Sequence, residues 1–237
     1  MGNNTSITEH KRHYYRELLC IGVPIIIGQL GTIVLGFADT LMIGHHSTEE
    51  LAAAGLVNNI ITFILVSYMG FSYGLTPIIG KLYGMEKTDE IGQKVRNSFF
   101  ANMVVGVIFS LALVVLYFNL HRIGQPEELL TLIRPYFIVN LISVLFVGVF
   151  NTLKQFLDGI GNTKVAMWVM IMGNIVNIFG NWVLIYGVGP CPEMGLLGAG
   201  ISTLASRVLM AVAMVGIIAV TKEYREYRNN IKASRIN

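Results

Sequence analysis

Charge is what this sequence has least of. Asp, Glu, Lys and Arg make up 13% of its 237 residues, against about 25% in a typical soluble domain. A soluble fold of this size needs a polar shell that so few charges cannot supply. An excess of one sign is missing too: 17 Lys and Arg against 14 Asp and Glu leave a net +3. That is too little, on so apolar a chain, for a nucleic-acid surface, and no nucleic-acid partner is expected. The two cysteines, Cys20 and Cys191, form neither a disulfide framework nor a C-x-x-C or Cys/His metal spacing. No G-x-S-x-G, H-E-x-x-H, phosphate-loop or dinucleotide glycine pattern occurs, so neither an enzyme nor a bound organic cofactor is expected. His45 and His46 are adjacent and would point apart on a helix, and His10, His13 and His121 stand alone. Without an ATP-binding pattern, the energy for any transport would come from an ion gradient or another subunit.

What is abundant is apolar: 54% of the residues, with a mean hydropathy of +0.62. Disordered chains have the opposite composition. The lipid bilayer is therefore the first partner. Six apolar segments stand out, at about 18–43, 51–80, 95–118, 131–153, 165–186 and 196–220, each near the roughly 20 residues that a spanning helix needs. None shows the alternation of a barrel strand, and a lone span must satisfy its backbone internally, so all six read as helices. The expected fold class is an all-α integral membrane protein, a bundle of six transmembrane helices. The first two segments are long enough to tilt, bend or protrude. The basic cluster Lys11, Arg12, Arg16 precedes an apolar run too long for a cleavable presequence.

Arg122, in the connection between the third and fourth segments, and Arg134, at the adjoining end of the fourth, lie on the side away from the N-terminus, and Arg207 falls inside a span. Every other Lys and Arg lies on the side of the N-terminus. The positive-inside rule then predicts cytoplasmic N- and C-termini in a multi-pass protein of the cell (inner or plasma) membrane. The expected organisation is a cytoplasmic tail at 1–17, a six-helix membrane lobe at 18–220, and a linker or tail at 221–237 whose alternating charge suggests amphipathicity.

Among the 14 acidic residues, Asp39 alone falls well within a predicted span. A bare carboxylate in hydrocarbon costs at least about 2.5–3.5 kcal/mol, so it must be protonated, paired or hydrated. All three suit a proton or cation site. The alternative is an acid near the interface that snorkels or caps a neighbouring helix. At a rise of about 1.5 Å per residue, Asp39 lies ~6 Å deep, Asn181 ~7 Å, Thr203 ~10 Å, Asn58 and Asn59 ~11 Å and Asn177 ~13 Å from the same membrane face. Asn177 and Asn181 share a helix face. Any one amide is equally well explained as a bond between helices, but the set around Asp39 predicts a polar chamber in one half of the bilayer.

Arg207 sits near the midplane, at about 16 Å. It could line that chamber, pair with a carboxylate, guide an anion, or bond backbone carbonyls at a helix break. The last is preferred, because only one acid is available to it. Pro24 removes a backbone bond from the first span and crowds the preceding turn, so a kink is expected on the helix that carries Asp39. Gly28, Gly31 and Gly36 add close packing or flexibility to it. The 11 methionines fit an adaptable apolar surface, though lipid contact explains them as well.

Several motifs resemble one family. They are Gly36-Phe37-Ala38-Asp39-Thr40-Leu41-Met42-Ile43-Gly44 followed by Leu51-Ala52-Ala53-Ala54, Asp158-Gly159-Ile160-Gly161-Asn162-Thr163-Lys164, Asn177 to Gly187, and Gly195 to Thr203. In order and spacing over about residues 15–220 they are similar to the N-terminal half of multidrug and toxic compound extrusion (MATE) transporters. The resemblance implies one lobe of a twelve-helix secondary antiporter that expels small organic, often cationic, compounds in exchange for H⁺ or Na⁺. It implies that Asp39 is the coupling-ion site, with Asn177, Asn181 and Thr203 as its polar neighbours and Pro24 as the hinge. Asn58, Asn59 and Arg207 are candidate cavity-lining residues. Some members carry a second acid where Asn181 stands, which leaves the ion open here. No metal is expected beyond Na⁺ at Asp39. The chain covers one lobe, so its partner would be a missing C-terminal lobe or a second copy related by a parallel two-fold axis. Two other readings remain at this point. A truncated, non-transporting membrane module would show no efflux. A lipid-linked oligosaccharide flippase would need several cations along its cavity.

Overall fold

A computed structural model describes the backbone of residues 2–233, with side chains from Tyr15 to Ile231 except Glu17 and Ile123. The side chains of Lys11, Arg12, Lys232 and Arg235, all counted above toward orientation, lie outside the described residues. Eight α-helices are present among the described residues: α1 (Gly2–His46), α2 (Thr48–Tyr73), α3 (Leu75–Gly84), α4 (Thr88–Phe118), α5 (Glu127–Gly159), α6 (Thr163–Tyr186), α7 (Gly195–Val220) and α8 (Arg225–Ala233). Counting α2 and α3 as one bent span, six stretches are long and apolar enough to cross a membrane. The all-helical bundle expected from the sequence is observed.

Three boundaries differ from expectation. Residues 2–17, expected as a tail, are helical and continuous with the first span. The second span breaks at Gly74. Pro77 sits in the first turn of α3, where its missing N–H is tolerated, but its ring would crowd the Tyr73 carbonyl of an unbroken helix. The fourth span continues to Gly159, well beyond 153. That extension draws Lys154 and Asp158, both expected in a loop, into the bundle, where each is 8% exposed. They pair one turn apart at 2.6 Å, and this mutual neutralisation is what permits their burial. Asp158 is therefore a second acid drawn into the bundle, and it is more deeply buried than Asp39.

α5 is the central strut. It packs against α2, α3, α4 and α7, while α1 leans chiefly on α6 and leaves Ile26, Leu30, Ile33 and Phe37 exposed. The apolar core forms two clusters. One, at the end of the bundle where α1 meets α2, includes Ile43, Val57, Phe137 and Leu196. The other, at the opposite end, includes Ile79, Phe156, Met214 and Tyr224. On α7 the divide between them falls over Ser202, Ser206 and Arg207.

Ser47 caps α2 by accepting from the Glu50 amide at 3.4 Å, in the S-x-x-E pattern that marks a helix start. The same end is tied across elements by His46. Its Nδ1 faces Glu50 and its Nε2 faces Glu193, each at 2.8 Å. Both ring nitrogens meet carboxylates, so the imidazolium, with two donors, satisfies both. At the other end α8 docks along α4, through Thr88 to Glu226 at 2.8 Å and Arg96 to the Ile231 carbonyl at 3.3 Å. The segment expected as an amphipathic linker is thus a short helix on the bundle's flank.

Candidate ion and ligand sites

Three helices bring the predicted acid and its neighbours together. α1 supplies Asp39, α6 supplies Asn177 and Asn181 one turn apart, and α7 supplies Thr203. Close packing allows it. A Cβ on Gly180 would lie 2.4 Å from the Ser202 hydroxyl, and one on Gly31 would lie 3.1 Å from the Asn174 amide, so glycine at these two positions lets α7 and α1 approach α6. Ser202 then donates to the Asn177 carbonyl at 2.8 Å, which fixes the register of α6 against α7.

Asn181 Nδ2 donates to Asp39 Oδ1 at 2.6 Å and to Asn177 Oδ1 at 3.2 Å. Asn177 in turn donates to Thr203 Oγ1 at 3.2 Å and to Ser206 Oγ at 3.4 Å. Turned over, the Asn177 amide would instead present its nitrogen to Asp39 at 3.0 Å and accept from Thr203 at 3.2 Å. Which way an amide points is an assignment from its partners. An ionised carboxylate has only acceptors, so the turned form suits ionised Asp39 and the first suits a protonated acid. Asn177 and Asn181 are fully buried, and the Asn181 side-chain oxygen is buried without a partner. Charge on Asp39 is thus held by neutral dipoles.

The wider chamber includes residues that sequence reasoning missed. Tyr136 donates to Asn58 Oδ1 at 3.0 Å, and the Asp39 and Arg207 charges both act on its hydroxyl. Ser143 accepts from Arg207 at 2.5 Å. Tyr136, Asn140 and Ser143 recur at helical spacing on α5 and are all buried. That polar stripe was a readable signal, because i, i+4 and i+7 share a face. The Ser206 and Ser202 hydroxyls on α7 were legible in the same way.

Two of the expected placements are corrected. Arg207 does not serve a broken helix: α7 runs unbroken through it, and its guanidinium reaches α5 instead. Its charge also acts on Asp39. Asn59 does not join the chamber. It is exposed and shares an outward groove with Phe63, Ala112 and Leu113, since consecutive helical residues point about 100° apart. Asn58 alone faces inward. Pro24 is buried within α1, and the Thr163 hydroxyl at the start of α6 donates to the Ile21 carbonyl at 3.2 Å. This supplies a partner in the turn that the proline disturbs, as Ser and Thr commonly do at membrane prolines.

Among the described residues, no group of three or more His, Cys, Asp or Glu side chains could hold a metal. What the Asp39 cluster offers is one carboxylate among amides and hydroxyls, a group able to exchange a proton or a small monovalent cation.

A family model described as MatE matches residues 24–183. A protein of Photorhabdus laumondii subsp. laumondii described as "Probable multidrug resistance protein NorM" is 32% identical over 222 residues, covering 94% of this chain and 49% of its own length. A protein of Geobacillus kaustophilus with the same description is 27% identical over 190 residues, covering 80% of this chain and 42% of its own. The chain thus spans about half the length of these curated relatives. Among solved structures, MATE in the straight conformation superposes with a TM-score of 0.79 at 22% identity, over 89% of this chain and 46% of that one. MATE in the bent conformation gives 0.78 at 22% identity, over 90% and 46%. At that identity the likeness is one of fold.

Proposed function

Because the chain belongs to the MatE family, we propose that it forms one six-helix lobe of a secondary antiporter exporting small organic, often cationic, compounds in exchange for H⁺, with Asp39 as the proton-exchanging group. One observation carries this reading: the 2.6 Å bond from fully buried Asn181 to Asp39. It holds a half-buried carboxylate with a neutral donor, so the charged form is stabilised and protonation breaks no ion pair with the group that bonds it. The relatives' description as multidrug resistance proteins supports small organic substrates.

A proton fits better than Na⁺. The nearest group to the carboxylate is an amide N–H, and a donor does not ligate a cation. Asn181 also stands where a second acid would have added negative charge. In this reading the His46 end faces outside and both termini are cytoplasmic, as the Lys and Arg distribution supports. Proton uptake from outside discharges Asp39 and weakens its hold on Asn181. α1 then shifts about the Pro24 turn, and substrate leaves. A second six-helix half, from a C-terminal lobe or a second copy, completes the path. A lipid-linked oligosaccharide flippase is less well supported, since Asp158 neutralises Lys154 and leaves Arg207 as the unmatched cavity cation among the described residues.

The test is dye efflux from cells lacking other pumps, by the full-length or co-assembled protein carrying Asp39→Asn. Efflux driven by a pH gradient is expected to disappear. Wild-type efflux by the variant, or dependence on Na⁺ alone, would overturn the assignment.

A further inference from the structure

One to two turns from the Asp39 cluster, toward the Tyr224 end, the helices enclose a cavity of about 180 Å³ between α1, α2, α5, α6 and α7. Its polar lining is Arg207 and Lys154, the amides of Gln29, Asn151 and Asn174, and the hydroxyl-bearing Thr32 and Tyr73. No Asp or Glu lines it, and the remaining wall is almost wholly apolar. Lys154 is matched by Asp158 behind it, at 2.6 Å. Arg207 has no such partner on its own helix. Ser143 takes one bond from it, out of the five N–H groups of a guanidinium. The Asn174 amide nitrogen, a second donor, is buried with no partner. Two cations therefore border a space that no carboxylate lines, and one of them has no counter-charge bonded to it. A half-buried guanidinium with N–H groups to spare calls for an anion.

We propose that this cavity is an anion subsite: it seats the oxyanion, a carboxylate or phosphate, of an amphiphilic ligand whose apolar body lies against the surrounding wall. Arg207 is its principal contact. A planar guanidinium matches a carboxylate with two parallel bonds. The volume is below the roughly 300–1,000 Å³ of a whole drug site, so it holds one end of a ligand. As an account of substrate class this rests on the export reading above. As a binding site it does not, and binding is what the experiment reads.

The full chain, purified into phosphatidylcholine nanodiscs, is titrated with a rhodamine bearing a free carboxylate and with the methyl ester of the same dye, and fluorescence anisotropy is followed. The acid is expected to bind about tenfold more tightly than the ester, the gain of one charge-assisted bond pair. Arg207→Gln removes the preference and leaves ester binding unchanged, whereas Arg207→Lys, which keeps the charge, retains part of it. Equal binding of acid and ester by the unaltered chain overturns the proposal whether or not a variant folds. So does equal weakening of both dyes by Arg207→Gln. Discs containing phosphatidylglycerol separate the sources of the anion. If the acid preference is lost there, a lipid headgroup is the natural occupant; if it persists, the occupant is a soluble amphiphile; either result keeps the subsite. A chain that prefers the acid but moves no dye in cells keeps this inference and loses the export reading.

Discussion

The acid cluster at Asp39 and the cationic cavity at Arg207 and Lys154 are built on the same helices, yet they manage intramembrane charge in opposite ways. Asp39 is held by amides: Asn181 at 2.6 Å and Asn177 just behind it. Lys154 is held by a counter-charge on its own helix, Asp158, also at 2.6 Å. The distances are alike and the consequences are not. An amide stabilises the carboxylate without creating a second charge, so a proton can come and go at modest cost. An ion pair locks both partners, because neutralising one strands the other in a low dielectric. Arg207 lies between the two regimes. Its charge acts on Asp39, but its direct bond is to a neutral hydroxyl. One lobe therefore contains a charge free to change, a pair fixed in place and a cation still open to a partner.

The contrast can be broken most forcefully at the fixed pair. Lys154→Met leaves Asp158 buried and unmatched, and is expected to destabilise the lobe by about 3–5 kcal/mol, whereas the joint replacement of Lys154 and Asp158 by Met and Leu is nearly neutral. Thermal or denaturant unfolding in detergent, followed by tryptophan fluorescence, measures both. Equal cost for the single and the joint change would mean that the pair does not neutralise itself. A smaller effect is expected at the exchangeable acid. Asp39→Asn stands in for the protonated form and frees Arg207 from a nearby negative charge. Binding of the carboxylate dye should tighten by roughly three- to tenfold, a gain of about 0.7–1.4 kcal/mol, with the ester unaffected. No change would mean that the two sites are electrically independent. A third comparison separates two neighbours, one of which should show the smallest effect of all. Asn59→Leu, on the exposed groove, should alter stability by no more than about 0.5 kcal/mol. Asn58→Leu strands the buried Tyr136 hydroxyl and should cost about 1–3 kcal/mol. A reversal of that order would place the chamber on the wrong face of α2.

Much of this was legible before any fold was known. Asn177 and Asn181 are four residues apart, so a helix must stack them, and their depth matched that of Asp39 and Thr203. Those four side chains do meet. Asn58 and Asn59 had the same depth and composition, and nothing local separated them. The contact of Arg207 with Ser143 was not legible, because depth measures position along one axis and does not say which neighbouring helix a side chain reaches. Lys154 and Asp158 looked like loop residues because hydropathy fades where charges begin. Hydropathy does not register that two charges one turn apart can neutralise each other and let the helix continue.

The amino-acid order alone determined that the chain is helical, that it has six apolar spans and that one of them carries an acid needing polar company. Those properties follow from composition and from a repeat of 3.6 residues, which any short stretch of chain already possesses. Only the tertiary structure decided which of two adjacent amides turns inward, that Arg207 reaches Ser143 and not a helix break, and that a cationic cavity lies beside the acid. These depend on how far each helix is rotated and offset against its neighbours. That is set by glycine contacts such as Gly31 and Gly180 and by packing summed over the whole bundle.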